Sequence, residues 1–176
     1  EPAATMPFWH GDALGRSLDT GKAVGAFVRE IGALPPERAE RRLIDEYHLD
    51  ALAAKNLVAY LEEEREEAGV LPTDQTLVVQ RFRDEIGDWR VVILSPLGAK
   101  VHAPWAMATT QRLRERYGTD VDVIWSDDGI AFRFPDTDDI PGTEELIPDP
   151  EELEPLLTEH LADSAMFAAR FSEAAG

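Results

Sequence analysis

Apolar residues in the first half of the chain recur with the 3.6-residue period of helices. From residue 17 to 34 they place Leu18, Val24, Phe27, Val28 and Ile31 on one stripe, which Pro35-Pro36 terminates. A second helix is predicted to start at Pro36 and carry Leu43, Ile44 and Tyr47 inward. Asp50 is placed to cap a third, with Leu52, Ala54, Leu57, Val58 and Leu61 facing the core and Gly69 just past its end. The acidic run Glu62 to Glu67 reads as the solvated side of that helix. Beyond residue 71 the period shortens to two. Leu77–Phe82 and Trp89–Leu94 read as strands joined by a short connection containing Gly87. A helix over Pro104–Tyr117, closed by Gly118, separates them from a second strand pair, Val121–Trp125 and Ile130–Phe134, around the tight-turn signal Asp127-Asp128-Gly129. A proline-marked acidic loop follows. After it come a helix over Asp149–Leu161, with Pro150 in its first turn, and a last one over Ser164–Ala174 carrying Met166, Phe167 and Phe171.

This order predicts an α+β fold: an N-terminal helical segment, then a ββα-ββα sheet unit with helices on one face, and a C-terminal helix. The division falls at 1–70, a helical segment continuing from an upstream module, and 71–176, the sheet unit, the two packed as one accessory domain. The 176 residues suffice for a substantial core. With no Met at position 1 and an Ala-Ala-Gly end inside a predicted helix, the chain reads as a piece of a longer polypeptide. Cysteine is absent, so disulfides and thiolate metal sites are unavailable and a cytoplasmic setting is expected. No apolar run approaches the roughly 20 residues that span a bilayer, so no membrane partner is expected.

Charge changes this picture. The net charge is −18, which repels a polyanion on average. The distribution is uneven: residues 136–163 hold eleven acidic residues and no Lys or Arg. Residues 75–116 hold seven basic against four acidic, a local balance of +3. Screening beyond about 8 Å makes the local balance the relevant one.

Several chemistries are excluded or weak. No phosphate-cradling GxxxxGK[ST] loop and no strand-borne Asp-Glu-x-His is present, so no ATPase site lies in this stretch. Asp127 and Asp128 are paired carboxylates, but a turn before Gly129 explains them without catalysis. His10 and His102 lack partners at metal-ligand spacing, and His48 and His160 fall on helices. Ser95, followed by proline, lies in no nucleophile elbow.

The block RFRDEIGDWR places Arg81 and Arg83 on one face of a strand and Phe82 on the other, toward the core. Arg90 on the neighbouring strand is expected to approach the arginine face. Three guanidiniums so arranged suit a phosphate backbone; they equally suit ion pairs with Asp84, Glu85, Asp88 or the acidic tail. In SPLGAKVHAPWA, Gly98 permits a bend and Pro104 opens a helix whose N-terminus favours anions, with Lys100 and His102 just before it. Trp105 is placed either to stack on a base or to anchor the helix.

These segments also resemble a known family. PFWHGD (7–12) with Gly15 and Arg16, NLVAYLEEE (56–64), LPTD (71–74), RFRDEIGDWR (81–90), SPLGAKVHAPWA (95–106), WSDDGI (125–130) and SAMFAARF (164–171) stand in the order of the DEAD/H-associated region of Lhr-type (large helicase-related) ATP-dependent helicases. Gln75, Gln80 and Leu97 depart from its usual basic, acidic and Phe residues. The resemblance implies an accessory, nucleic-acid-engaging domain of a 3′-to-5′ single-strand translocase that unwinds duplexes in DNA repair. It implies single-stranded DNA or an RNA–DNA hybrid as partner, together with the motor and winged-helix modules of the same polypeptide. ATP and Mg would bind outside this region, and no cofactor within it. The residues expected to touch nucleic acid are Arg81, Arg83, Arg90, Lys100, His102 and Trp105. The alternative is a scaffold that braces the helicase core without touching a strand.

Overall fold

The computed structural model describes residues 15–118, 121–135, 140–149, 151, 153–155 and 158. Three helices come first. α1 (Leu18–Gly32) starts where the Ser17 side chain accepts a hydrogen bond from the Thr20 amide. α2 (Pro36–Asp45) opens on a proline, whose missing N–H would lack a helical partner there anyway. α3 (Ala51–Ala68) is capped by Asp50, which accepts from the Ala53 amide at 2.8 Å, and ends at left-handed Gly69. Ile31, Ala39, Leu43, Ala54, Val58, Leu61 and Leu71 form one core among them. Leu18, Val24, Ile44, Tyr47 and Leu52, assigned inward by their spacing, are exposed. A cluster of three helices buries a narrower stripe than periodicity marks.

The second half is a four-stranded sheet of β1 (Val78–Arg83), β2 (Trp89–Leu94), β3 (Asp122–Ser126) and β4 (Gly129–Phe134). Its order is β1-β2-β4-β3 and every pair is antiparallel. α4 (Ala99–Tyr117) connects the two hairpins and covers one sheet face, with the single turn α5 (Thr143–Leu146) beside it. Val91, Ile93, Ile130, Phe132 and Phe134 meet Trp105, Ala106, Leu113 and Leu146 in a second core. The architecture is the expected α+β one, with two differences in detail. α4 starts five residues before Pro104, on Gly98 (φ +94°); Pro104 sits in the second turn, where its missing N–H costs one helical bond with Lys100. α5 occupies what reads as loop, and within the predicted 149–161 helix residues 151, 153–155 and 158 are helical. The predicted 164–174 helix, His160 and the PFWHGD segment lie outside the described residues.

The two halves meet along a seam of backbone on backbone. A Cβ added at Gly21 would stand 2.3 Å from the Pro96 carbonyl oxygen, and one at Gly25 would stand 2.2 Å from the Asp74 amide nitrogen. α1 therefore lies directly on the segments before β1 and before α4, with no side chain between. Arg29 reinforces the seam with a bidentate pair to Asp74 (2.9 and 3.2 Å), which holds the Asp74 carboxyl below the usual range.

Candidate nucleic-acid interface

Strand register decides where the RFRDEIGDWR arginines go. Arg81 pairs with Val91 and Arg83 with Trp89, so both lie on the α4 side of the sheet, at the outer edge that the helix does not reach. Phe82 pairs with Arg90, and both project from the opposite, open face. Phe82 is 47% exposed and is not a core residue. The expectation that Phe82 points into the core and that Arg90 joins the other two arginines fails. Alternation was read correctly, but β1 is an edge strand whose distal half leaves the covered area.

Each cation of the block has an internal partner or contact, or stands apart. Arg81 donates to the Thr143 hydroxyl at 2.8 Å. Arg83 donates to the Gly87 carbonyl, its guanidinium carbon 4.8 Å from the Trp89 ring centre. Arg90 is clamped to Asp84 at 2.8 Å. Burial pushes the Asp84 carboxyl up, but the Arg90 hydrogen bond and the Asp88 and Ile86 amides outweigh it and hold the group below its ordinary value. Beside Arg90 on the open face, Arg133 holds Asp88 at 2.7 Å and Asp122 at 3.0 Å. The two guanidiniums, directly opposite one another, are thus each neutralised.

α4 separates the remaining candidates. Lys100 is exposed in its first turn, next to the Leu94 end of β2. Val78, the partner of Leu94, lies five residues along β1 from Arg83, roughly 17 Å at the rise of a strand. Lys100 and the Arg81–Arg83 pair therefore stand at opposite ends of the sheet. His102 is fully buried; its Nδ1 lies 2.7 Å from the Ser126 carbonyl oxygen, so Nδ1 carries the proton and donates. Trp105 is 8% exposed, and its indole N–H donates to the Leu146 carbonyl at 2.7 Å. Thr109 donates to the same oxygen, and Arg112 donates to the Glu145 carbonyl while Arg116 pairs with its carboxylate. Trp105 is the clasp that seats α5 on α4. It presents no ring face to a base.

The start of α4 is an anion site that the chain fills itself. Asp127 Oδ1 accepts the Ala99 amide at 2.8 Å and the Arg16 amide at 2.7 Å. These two hydrogen bonds, with the Arg16 charge behind them, hold the Asp127 carboxyl below the usual range. Arg16 in turn pairs with Asp128 at 2.9 Å and reaches the Pro96 carbonyl. Asp127-Asp128 is thus a joint between the first helix, the β3–β4 turn and α4. The sequence marks this pair only as a hairpin turn, because the amides it accepts lie 28 and 111 residues away and leave no local signal.

A further surface among the described residues has no counterpart in the candidate residues above. The open face carries Val92, Leu94 and Ala131 in its centre and Ile124, 71% exposed, at the β3 edge. With Trp125 and Asp128 they line a shallow depression of about 190 Å³. The signal was there: Val91-Val92-Ile93-Leu94 is apolar on both faces, as in strands covered on both sides.

Among known proteins, the DEAD/H associated family matches residues 71–176. The chain is 47% identical, over 98% of its length, to the Lhr helicase/probable uracil glycosylase of Mycolicibacterium smegmatis. It is 39% identical, over 98% of its length, to the Lhr helicase/uracil glycosylase of Escherichia coli. It spans 11% of the length of each of these relatives. The solved structure of Mycobacterium smegmatis helicase Lhr bound to ssDNA and AMP-PNP superposes with a TM-score of 0.84 at 46% identity, covering 96% of this chain and 21% of that one. The motif order read in the sequence and the ββαββ sheet with its helical preface converge on one assignment: the chain belongs to the DEAD/H-associated family, as found in Lhr-type helicases.

Proposed function

We propose that the chain is an accessory domain of an ATP-dependent Lhr-type helicase, and that it chiefly braces the motor and winged-helix modules of the same polypeptide. The intact protein would bind ATP and Mg outside this region. It would translocate 3′ to 5′ along single-stranded DNA and separate DNA duplexes or RNA–DNA hybrids, in a cytoplasmic, DNA-repair setting. The similarity over 98% of the chain to Lhr helicases supports the assignment to a helicase. The observation that favours bracing over gripping is the pairing of Arg16, Arg90, Arg116 and Arg133 with carboxylates of their own chain. An arginine already holding a carboxylate must give it up to take a phosphate, and the surrounding acidity opposes the exchange.

A second reading keeps the domain on the strand through Arg81 and Arg83, both exposed at the β1 edge, with the stacking contribution of Trp105 removed. It draws support from the relative solved with ssDNA. Fluorescence anisotropy with labelled single-stranded DNA between about 50 and about 200 mM salt separates the two. Bracing predicts negligible binding by the 176-residue chain at both salts and no change in Arg81→Ala/Arg83→Ala. Salt-sensitive binding, whose salt slope falls by about 2 in the double variant, would establish the strand-engaging role instead.

A further inference from the structure

The open face of the sheet is built as a grid whose columns are the strands in the order β1, β2, β4, β3. Its central row reads Gln80, Val92, Ala131, Ile124, with Val78, Leu94, Gly129, Ser126 on one side and Phe82, Arg90, Arg133, Asp122 on the other. Val78 alone of its large side chains is buried, while Phe82 and Ile124 are exposed and Val92 and Leu94 are half-buried. Among the described residues, α4 and α5 pack on the other face. Apolar exposure of this kind, contiguous and centred on a depression, marks an interface. β2 supports the same conclusion from its composition, being as apolar toward the open face as toward the core.

Charge defines what fits. Asp128, 76% exposed, and Asp122 flank the β3 side of the patch. The Tyr60 phenol on α3 is held above its ordinary value by burial first and then by the Glu64 and Asp128 carboxylates, so it stays neutral beside Asp128. Arg90 and Arg133 face Asp84, Asp88 and Asp122, and Arg16 faces Asp127 and Asp128, so three positive charges stand against five negative and the apolar surface lies within a border of net charge −2 (3 − 5). A nucleic-acid strand is repelled by that border. A second copy, equally acidic at −18, is disfavoured for the same reason. The curated relatives, of which this chain spans 11%, supply the remaining candidate.

We propose that the open sheet face, centred on Val92, Ala131 and Ile124, docks an apolar segment flanked by Lys or Arg from another module of the same helicase polypeptide. One bulky apolar side chain enters the depression between Leu94 and Ile124, and the flanking cations meet Asp122 and Asp128. This rests on the bracing role proposed above and assigns it a surface and a partner chemistry.

The test uses the isotope-labelled 176-residue chain. Its partner is the M. smegmatis Lhr relative with the equivalent segment deleted, added in trans. Backbone amide shifts are expected at Val92, Ile124 and Ala131 but not on the outer side of α4. Ile124→Asp is expected to abolish them, and Asp122→Asn/Asp128→Asn to weaken binding at least fivefold, with both variants melting as the wild type does. Shifts confined to other surfaces would overturn the proposal. So would a patch closed by self-association of the chain, or shifts reproduced by single-stranded DNA alone. Unwinding measured on the same mixture is a separate readout: binding at this face without any recovery of unwinding would sink the bracing role and leave the docking site standing.

Discussion

Asp127 concentrates more of the fold than its place in a two-residue turn implies. One carboxylate oxygen accepts the amides that begin α4 and that precede α1. Its folded-state ionisation is depressed, so its contribution is fully present above the unfolded value near 3.8 and is lost as pH falls through the lower folded value. The melting-temperature gap between wild type and Asp127→Asn should therefore be widest above pH 3.8 and shrink below it; a gap constant with pH would mean the carboxylate charge is irrelevant. Trp105 teaches the converse lesson. Its sequence context, beside Lys100 and His102, resembles a stacking site, whereas its indole N–H donates, together with the Thr109 hydroxyl, to the carbonyl that ends α5. Long-range partners of this sort, 41 residues apart, leave no local trace in a sequence.

Elements were legible where the signal is local. Asp50 and Gly69 marked the ends of α3 because caps act within one turn, and Asp127-Asp128-Gly129 marked the β3–β4 hairpin. The start of α4 was misjudged because proline is favoured in a first turn yet tolerated in a second. The side on which Phe82 lies is set by the register that pairs it with Arg90 and its neighbour Arg81 with core Val91, which alternation alone does not encode. The helix glycines give a sharp contrast at this scale. Alanine in a helix is favoured over glycine by about 1 kcal/mol. Gly25→Ala should nonetheless destabilise the chain by about 1–2 kcal/mol in urea unfolding, since its Cβ would strike the Asp74 backbone. Gly32→Ala meets only the movable Leu71 Cδ1 and should stay within about 1 kcal/mol of wild type. Equal effects at both positions would refute a backbone seam.

For the whole molecule, the helical core around Leu43 and the sheet core around Phe132 are distinct clusters. The Arg16–Asp128 and Arg29–Asp74 pairs cross between them. Unfolding followed by helical circular dichroism and by tryptophan fluorescence should coincide, because among the described residues the tryptophans belong to the sheet half and the seam couples the two. Two separate transitions would show that each half stands alone. The described residues include no helix long and apolar enough to cross a membrane.

Contact between α1 and the segments before β1 and α4 is made by main-chain atoms, and main chain has no alternative rotamers into which to relax. A load applied at the sheet therefore reaches the helices without slack, as through a welded bracket instead of a hinge. Whatever presses on one half, the other should follow it as part of a single block.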